Sequence, residues 1–332
     1  MQYYDIRANA HRHEAINIII GGRGIGKTYS ALSYMIEMAQ PFLYLRNTGI
    51  QMEESATAFG NPFKKISLDM GRDISLKAEK RHYNIIETTS GSNEIIGYGA
   101  ALSTFSNLRG VDLSDVRYVV FDEFIERRKL AFDQFGAFQA MYETVNRNRE
   151  LEGEPPLKCF LLSNSQTLQN DILMGYGLVD RIQRMIVSGE RIWRRDGLYL
   201  ELPKSEISEA KARTANYKLI SGTDYAREAL ENEFTSDSYK NVVKRDINEY
   251  RPLCYAEREN DAIFFWRHKA RPEFYATQIP SMHGRKYESD EYPLFFKQFG
   301  LALREAAIRG NLYYQTYECK LHALNLLNLT KR

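Results

Sequence analysis

The chain has 332 residues, of which 43% are hydrophobic and 27% charged, and its formal net charge is +2. The length predicts one large domain with a smaller one, since domains typically run to about 100–200 residues. The small net charge excludes a strongly polycationic protein, and no apolar run approaches the roughly 20 residues of a membrane-spanning helix. The amino terminus has no apolar signal-peptide core, so the sequence predicts a soluble intracellular protein with no membrane partner. Three scattered cysteines, Cys159, Cys254 and Cys319, are too few and too far apart for a disulfide framework or a zinc site.

The first 45 residues have the pattern of a βαβ unit. Residues 15–20 form a short apolar, β-branched run that ends in glycines, which is typical of a buried parallel strand. Residues 27–39 then show helical spacing of apolar side chains, and Pro41 prevents the helix from continuing. Residues 42–45 form a second apolar strand. Strand, glycine turn, helix and strand in this order predict a parallel pair with a crossover helix.

The turn after the first predicted strand matches the Walker A pattern G-x-x-x-x-G-K-[ST] in full. Glycines let successive backbone N–H groups curl around phosphate oxygens, and the next helix points its positive dipole end at them. The lysine of this pattern contacts the β- and γ-phosphates, and the hydroxyl after it binds Mg²⁺. We therefore predict a site for ATP and Mg²⁺ formed by Gly21, Gly22, Arg23, Gly24, Ile25, Gly26, Lys27 and Thr28.

A second apolar run, at residues 116–121, ends in Asp122 and Glu123, which is the pattern of a Walker B motif. A strand here brings Asp122 to the sheet edge beside the glycine turn, where we expect it to hold Mg²⁺ together with Thr28. Glu123 is then predicted to polarise the attacking water as a general base. An Asp-Glu pair favours an NTP hydrolase that drives mechanical work over a nucleotide kinase, which needs no hydrolytic base.

Asn164 follows a third apolar run, at residues 157–162. A polar residue at this strand end can contact the γ-phosphate and report its loss, so we predict a sensor role for Asn164. Ser163, Asn164 and Ser165 are also good helix-capping residues, and a plain turn is the alternative.

Arginines near these motifs are candidates for stabilising the transition state, where an inserted guanidinium is worth about 10³-fold or more in rate. Arg23 lies inside the glycine turn and could act within its own subunit. Arg109, Arg147 and Arg149 flank the Walker B segment and could act across a subunit interface. For each of them a surface ion pair is an equally good interpretation.

Alternation of apolar strands with helices predicts an α/β fold, a P-loop NTPase of the ASCE type with helices on both faces of a parallel sheet. Residues 74–96 alternate as a β-meander. The predicted domains are a P-loop ATPase domain at 1–197, a helical linker or small subdomain at 198–233, and a smaller C-terminal α/β domain at 234–332. Strands at 262–267 and 274–278 and helices at 294–309 and 312–329 are expected in the last of these.

Four blocks of sequence resemble the DNA-packaging ATPase, or encapsidation protein, of phi-29-like tailed phages. They are residues 20–28, 119–125, 144–150 and 162–164, and their order and spacing agree across the amino-terminal half. The resemblance implies a pentameric ring ATPase that acts in the host cytoplasm, docks transiently at the portal vertex of a procapsid and pumps double-stranded DNA inward. It also implies a structural packaging RNA as a possible further partner.

The resemblance assigns roles to particular residues. Arg147 matches the family's trans-acting arginine finger, and Arg109 matches a family lysine that contacts nucleotide in trans, so there the residue type differs. The C-terminal domain is implied to resemble an RNase H-like nuclease that has lost its catalytic acids. Because Asp237, Asp246 and Asp261 are scattered, we expect no nuclease activity and a docking role for nucleic acid or the portal.

Two further interpretations remain open from sequence. The nearer one is another nucleic-acid translocase, such as a helicase or a terminase with a working nuclease. The more distant one is a small-molecule kinase or a nucleotide-gated binding module. A mild excess of 16 basic over 12 acidic residues from Phe234 onwards is compatible with a polyanionic partner. Lys64 and Lys65, in a polar segment, are predicted to contact DNA phosphates in a pore loop.

Overall fold

A computed structural model describes most of the chain: residues 2–80, 82–89, 91–108, 112–126, 130–223, 226, 229–230, 234, 240–258, 261–281 and 283–329. It divides into two compact units. The first comprises Met1–Gly175 and Met185–Ser236, and the second comprises Tyr176–Arg184 and Asp237–Arg332. The domain boundaries expected from sequence stay a prediction. Among the described residues, no helix is long and apolar enough to cross a membrane.

The first unit is built on a nine-stranded sheet with the order β3-β4-β5-β2-β6-β7-β1-β9-β8. Its six neighbouring strands β5, β2, β6, β7, β1 and β9 are parallel. The strands are β1 (Ile16–Ile20), β2 (Phe42–Arg46), β3 (Asp73–Ala78), β4 (Tyr83–Thr89), β5 (Ser92–Ala101), β6 (Tyr118–Asp122), β7 (Lys158–Ser163), β8 (Ile192–Arg195) and β9 (Leu198–Glu201).

The predicted parallel sheet forms the centre of the observed one, and antiparallel strands extend it at both edges. β3 and β4 continue it antiparallel at one edge, as the meander predicted at 74–96, and β8 pairs antiparallel with β9 at the other edge. The outer strands are joined by short turns, and short turns permit only antiparallel pairing. β8 and β9 were not predicted. The result is a mixed sheet with a parallel centre.

Helices cover both faces of the parallel centre. Val120 packs in the apolar cluster formed with α1, whereas the next residue, Phe121, stacks on Phe138 of α4 with ring centroids 6.1 Å apart. Successive strand residues point to opposite faces, so α1 and α4 lie on different sides. The helices of this unit are α1 (Lys27–Glu37), α2 (Gly49–Ser55), α3 (Lys64–Met70), α4 (Gln134–Asn146), α5 (Asp171–Gly175), α7 (Glu206–Ala212) and α8 (Ala215–Leu219), while α6 (Val179–Ser188) has residues in both units.

The second unit contains a five-stranded sheet with the order β13-β10-β11-β12-β14. One face carries an apolar core that includes Phe265 and Tyr287, and an aromatic cluster with Trp266 and Tyr275 lies on the strands as well. The strands are β10 (Tyr250–Arg258), β11 (Asp261–His268), β12 (Phe274–Thr277), β13 (Arg285–Tyr287) and β14 (Leu312–Tyr314), and the helices are α9 (Tyr292–Phe295), α10 (Leu301–Arg309) and α11 (Tyr317–Leu326).

The predicted start of one helix in this unit is wrong. Residues 312–329 were expected to be helical throughout, but Leu312–Tyr314 forms β14, parallel to β12, and the helix starts at Tyr317. The side chain of Thr316 caps it by accepting a hydrogen bond from the backbone N–H of Cys319. Pairing with a neighbouring strand overrides the local helical pattern, because strand propensity depends on tertiary context.

Candidate functional site

Four neighbouring strands bring several predicted site residues, together with the unpredicted Arg46, to one edge of the sheet. β2 pairs with β6 in parallel register, β6 with β7 and β7 with β1. Because parallel strands end on the same side, the residues that follow them converge. Arg46 ends β2, Asp122 ends β6, Asn164 follows β7 and Gly21 follows β1. In open parallel sheets the carboxyl edge is where ligands bind.

The glycine turn between β1 and α1 needs its glycines for their backbone conformation. Gly24 has φ 69° and Gly26 has φ 101°, a region that side-chain-bearing residues rarely adopt. Ile25 between them is buried and anchors the turn. Gly26 is also the N-cap residue of α1, so the turn opens directly at the positive end of the helix.

Lys27 folds back over the turn. Its ammonium donates to the carbonyl oxygens of Gly21 at 2.9 Å and Gly22 at 2.8 Å, and to Oδ1 of Asn164 at 3.1 Å. The side chain is buried, and burial lowers the pKa of Lys27 to about 7, although Asp122 and Glu123 favour its charged form. Burial therefore disfavours the charge of Lys27 in the empty cleft, and an anionic ligand would favour that charge.

Thr28 and Asp122 join the two motifs. The Thr28 hydroxyl donates to Oδ1 of Asp122 at 2.8 Å, and the Tyr44 hydroxyl donates to Oδ2 at 3.3 Å. Asp122 is only 5% exposed, and burial raises the pKa of its carboxyl, although Arg46 and the Thr28 hydroxyl favour its charged form. A hydroxyl and a carboxylate that meet in this way are the oxygen donors that Mg²⁺ prefers.

Glu123, the predicted general base, stands on a strained backbone. Its φ is 54°, which is uncommon for a residue other than glycine, and its side chain is 48% exposed. Asn47 donates to its backbone carbonyl at 2.9 Å, and Arg46 donates to Oε2 at 2.6 Å. The turn of the chain after Asp122 therefore directs the Glu123 carboxylate to solvent at the sheet edge.

Arg46 was not predicted as a site residue. Its guanidinium reaches both Walker B acids, with Oδ2 of Asp122 at 3.4 Å and Oε2 of Glu123 at 2.6 Å. The sequence signal was present: Arg46 follows the apolar residues 42–45, so a charged side chain ends the strand next to the Walker B strand.

A buried chain of amides links the Walker B turn to α4. Gln134, the first residue of α4, donates to the carbonyl of Phe124 and to Oδ1 of Asn47, both at 2.6 Å. Asn170 donates to Oε1 of Gln134 at 2.8 Å. Buried polar groups are costly unless they are all paired, so this network fixes the backbone just after Glu123.

A cleft of about 290 Å³ opens at this edge of the sheet. Its lining includes six residues of the glycine turn and its helix, both Walker B acids and Asn164. The lining residues are Arg23, Gly24, Gly26, Lys27, Thr28, Tyr29, Asp122, Glu123, Ser163 and Asn164. Five of the eight predicted Walker A residues therefore line one cavity with Asp122, Glu123 and Asn164, whereas Gly21, Gly22 and Ile25 do not line it.

The predicted arginines occupy different environments. Arg23 is exposed on the glycine turn and lines the cleft. Arg147 does not line it: this residue follows α4 with φ 51°, is 53% exposed and pairs with Asp112 at 3.2 Å. Arg149 is buried and donates to backbone carbonyls of Ser114 and Val116, which is a structural role. The predicted nucleotide contact at Arg109 lies outside the described residues.

The two lysines expected in a pore loop lie on a helix. Lys64 and Lys65 begin α3, both are exposed, and Lys65 pairs with Asp69 one turn further on at 2.7 Å. The expectation of a loop at this position was therefore wrong, and contact with DNA stays a prediction. Asn61 accepts a hydrogen bond from the backbone N–H of Phe63 just before the helix, which organises its start.

The fold and the site together define an α/β protein with a glycine-turn cleft at the carboxyl edge of a mixed sheet. A family model described as Podovirus DNA encapsidation protein (Gp16) matches residues 1–269. The chain belongs to this family, as the resemblance of its sequence blocks indicated.

Similar proteins support the same membership. DNA packaging proteins of Bacillus phages PZA and B103 are 26% identical over 238 residues and 27% identical over 241 residues. These matches cover 69% and 70% of this chain. The chain spans 65% of the length of the PZA protein and 68% of the B103 protein.

Two solved structures share the fold. One is titled "The Phi-28 gp11 DNA packaging Motor", with a TM-score of 0.67 at 18% identity over 99% of this chain and 98% of the other. The other is titled "The bacteriophage Phi-29 viral genome packaging motor assembly", with a TM-score of 0.67 at 21% identity over 100% of both chains. At this level of identity the likeness concerns the fold alone.

Proposed function

We propose that this protein is an ATP-hydrolysing motor that drives double-stranded DNA into a preformed procapsid, as a P-loop NTPase of the ASCE type. The single observation that carries the proposal is the 2.8 Å contact between Thr28 and Asp122. This contact joins the hydroxyl and the carboxylate that a Mg²⁺–triphosphate complex requires. Both residues line the cleft, and Lys27 lines it as well. Membership in the encapsidation family supports the coupling of hydrolysis to DNA.

Each residue of the cleft has a proposed task in hydrolysis. Backbone N–H groups of the glycine turn and Lys27 bind and orient the phosphates. Thr28 and Asp122 would hold Mg²⁺, which neutralises charge that develops on the phosphate oxygens. Glu123 accepts the proton of the attacking water, and its exposed carboxylate is free to do so once Arg46 releases it. Asn164, already bonded to Lys27, is positioned to respond to the γ-phosphate.

Arg147 is proposed to act on a neighbouring subunit. It does not line the cleft, it stands at the surface, and its pairing with Asp112 is an exposed ion pair, which is weak and easily exchanged. Those features suit a guanidinium that completes another copy's site in a ring, for which the family resemblance implies five subunits. Arg109 is a second proposed trans contact.

The proposed partners are duplex DNA, the portal of the procapsid and a structural packaging RNA. Grip on DNA is expected to be electrostatic and independent of sequence, with Lys64 and Lys65 as candidate contacts. For the C-terminal part we propose a docking role without nuclease activity, on a domain that resembles an inactive RNase H-like nuclease. Asp246 there accepts from the backbone of Asn248, a capping contact.

Steady-state ATPase assays test the proposal. The rate is measured with and without duplex DNA at two salt concentrations, for wild type, for Lys27→Ala and for Lys218→Ala as a matched surface-lysine control. We expect DNA to stimulate the wild type and Lys218→Ala, higher salt to weaken the stimulation, and Lys27→Ala to be inactive. An ATPase rate that does not change when DNA is added would favour a small-molecule kinase or a nucleotide-gated binding module. Metal-dependent cleavage of plasmid would favour a terminase with a working nuclease.

A further inference from the structure

The outer side of the glycine turn is held by residues that follow the main sheet in sequence. The backbone N–H of Arg23 donates to the carbonyl of Ala229 at 3.1 Å, and Lys211 of α7 donates its ammonium to the carbonyl of Arg23 at 2.6 Å. Both backbone groups of one turn residue are thus bonded to this later segment. We call Ser208, Lys211 and Ala229 the α7 clamp.

At Gly22 the clamp approaches closely enough to require glycine. A Cβ atom at Gly22 would stand 2.7 Å from the carbonyl oxygen of Ala229 and 3.2 Å from the hydroxyl of Ser208. A Cβ at Gly24 would stand 2.5 Å from the ammonium of Lys211, which is the end of a flexible side chain. Gly24 lines the cleft in which phosphates are proposed to bind, and the Lys211 ammonium lies next to Gly24 although Lys211 is not itself a lining residue.

The charge around Lys211 is unbalanced. The charge of Arg23 disfavours the charge of Lys211, and the charge of Lys211 disfavours that of Lys27. Burial is the largest cause that lowers the pKa of Lys211, followed by Arg23. Among the described residues, the hydrogen bond from Lys211 goes to a neutral carbonyl and not to a carboxylate. Bringing three cations together costs free energy that an anion between them would recover.

We propose that Lys211 is a further phosphate-binding residue of the nucleotide site, contributed by α7, and that bound nucleotide ties α7 to the glycine turn through it. The inference rests on the proposed nucleotide binding at this cleft. A lysine has a flexible four-carbon stem, so rotamer changes carry its ammonium from the Arg23 carbonyl to a phosphate oxygen across the Gly24 rim. A charge-assisted hydrogen bond of this kind is stronger than the neutral one it replaces.

Binding of the non-hydrolysable analogue AMP-PNP with Mg²⁺, measured by calorimetry, tests this directly. The variants are Lys211→Ala, Lys211→Gln, Lys211→Arg and, as a control on the adjacent helix, Lys218→Ala. We expect both neutral variants at position 211 to bind about tenfold more weakly or worse, Lys211→Arg to retain most affinity, and Lys218→Ala to match wild type. Lys211→Gln keeps a donor for the Arg23 carbonyl, so it separates loss of charge from loss of the structural bond.

The melting temperature without nucleotide distinguishes a ligand contact from a structural one. A purely structural Lys211 would lower that temperature in Lys211→Ala, leave Lys211→Gln folded and leave the affinity of Lys211→Gln within twofold of wild type, which would overturn the proposal. If Lys27→Ala abolishes AMP-PNP binding and Lys211→Gln does not change it, this inference is wrong and the proposed nucleotide site still stands. Absence of binding in wild type itself would remove both.

Discussion

Arg46 bridges the two acids of the Walker B turn, with one guanidinium nitrogen 2.6 Å from Glu123 and another 3.4 Å from Asp122. The Arg46 side chain is 14% exposed, so it is held mostly out of water between a buried carboxylate and an exposed one. It therefore compensates the charge of Asp122 and restrains the proposed general base at the same time.

Removal of Arg46 should destabilise the first unit through Asp122. Arg46→Ala leaves a buried carboxylate without its cationic partner, so we expect unfolding free energy to fall by about 2 kcal/mol or more. Urea unfolding at pH 7 measures the change. Adding Asp122→Asn to Arg46→Ala should recover part of the loss, because the orphaned charge is gone. If the loss of unfolding free energy in the double variant equals the sum of the losses in the two single variants, direct coupling between these residues is contradicted.

Glu123→Gln should separate nucleotide binding from hydrolysis. The amide keeps the shape of the side chain but cannot accept the water proton, so we expect turnover to fall at least about 10²-fold with AMP-PNP affinity within threefold of wild type. Single-turnover hydrolysis and calorimetry measure the two effects. Glu126→Gln, three residues after Glu123 and bonded to Gln51, serves as a matched control. Substantial residual hydrolysis in Glu123→Gln would remove this residue from its proposed role.

The central strands of the first unit could be predicted from the local sequence pattern, because they are buried on both faces of the sheet. Apolar runs such as 15–20 and 157–162 are continuous in that environment, and the Walker A and B patterns fix where they end. β8 and β9 escaped prediction because each is only four residues long, although the Asp196-Gly197 turn between them is a typical hairpin signal. β14 was hidden inside a predicted helix because it is three residues long and pairs with β12, which is distant in sequence.

Site residues that belong to a single sequence motif could be predicted. Site residues that are brought together only by the pairing of two strands could not. Lys27, Thr28 and Asp122 sit in patterns that a single segment displays. Arg46 and Asn47 act through the pairing of β2 with β6; the apolar run at 42–45 shows that Arg46 ends a strand, but not that this strand lies beside the Walker B strand. Lys211 lies nearly two hundred residues from the glycine turn it contacts, so only the folded chain brings them together.

Arg147 offers a test that separates its backbone from its side chain. Its φ of 51° and ψ of −134° suit glycine, so Arg147→Gly should be more stable than Arg147→Ala by about 1 kcal/mol. Both variants lack the guanidinium and should lose DNA-stimulated ATP turnover by about 10³-fold. Mixing Arg147→Ala with Glu123→Gln should restore turnover at interfaces where an intact Glu123 meets an intact Arg147. Failure of the mixture to recover, with both variants assembled, would argue that Arg147 acts within its own subunit.

Lys27 should make folding stability depend on pH above neutrality. Burial lowers the pKa of Lys27 to about 7 in the folded chain, whereas a lysine in an unfolded chain has a pKa of about 10.4. Between these values the unfolded chain binds more protons, so the contribution of Lys27 raises stability as pH rises from about 7 to about 10. Urea midpoints at pH 7, 8 and 9 should show this rise in wild type and a flatter profile in Lys27→Met. Equal slopes in the two proteins would contradict a depressed pKa.

The same residue predicts that nucleotide binding takes up a proton. At pH 8 an empty cleft holds Lys27 largely neutral, and a bound polyphosphate favours its charged form, so affinity should fall as pH rises above about 7. Calorimetry of AMP-PNP binding at pH 8, in buffers with different ionisation enthalpies, should give an uptake that approaches one proton per site. Lys27→Arg is the matched control, because a guanidinium remains charged throughout this range and should show no such uptake. Identical proton uptake in wild type and Lys27→Arg would show that another group titrates, and Lys27 would then enter the complex already charged.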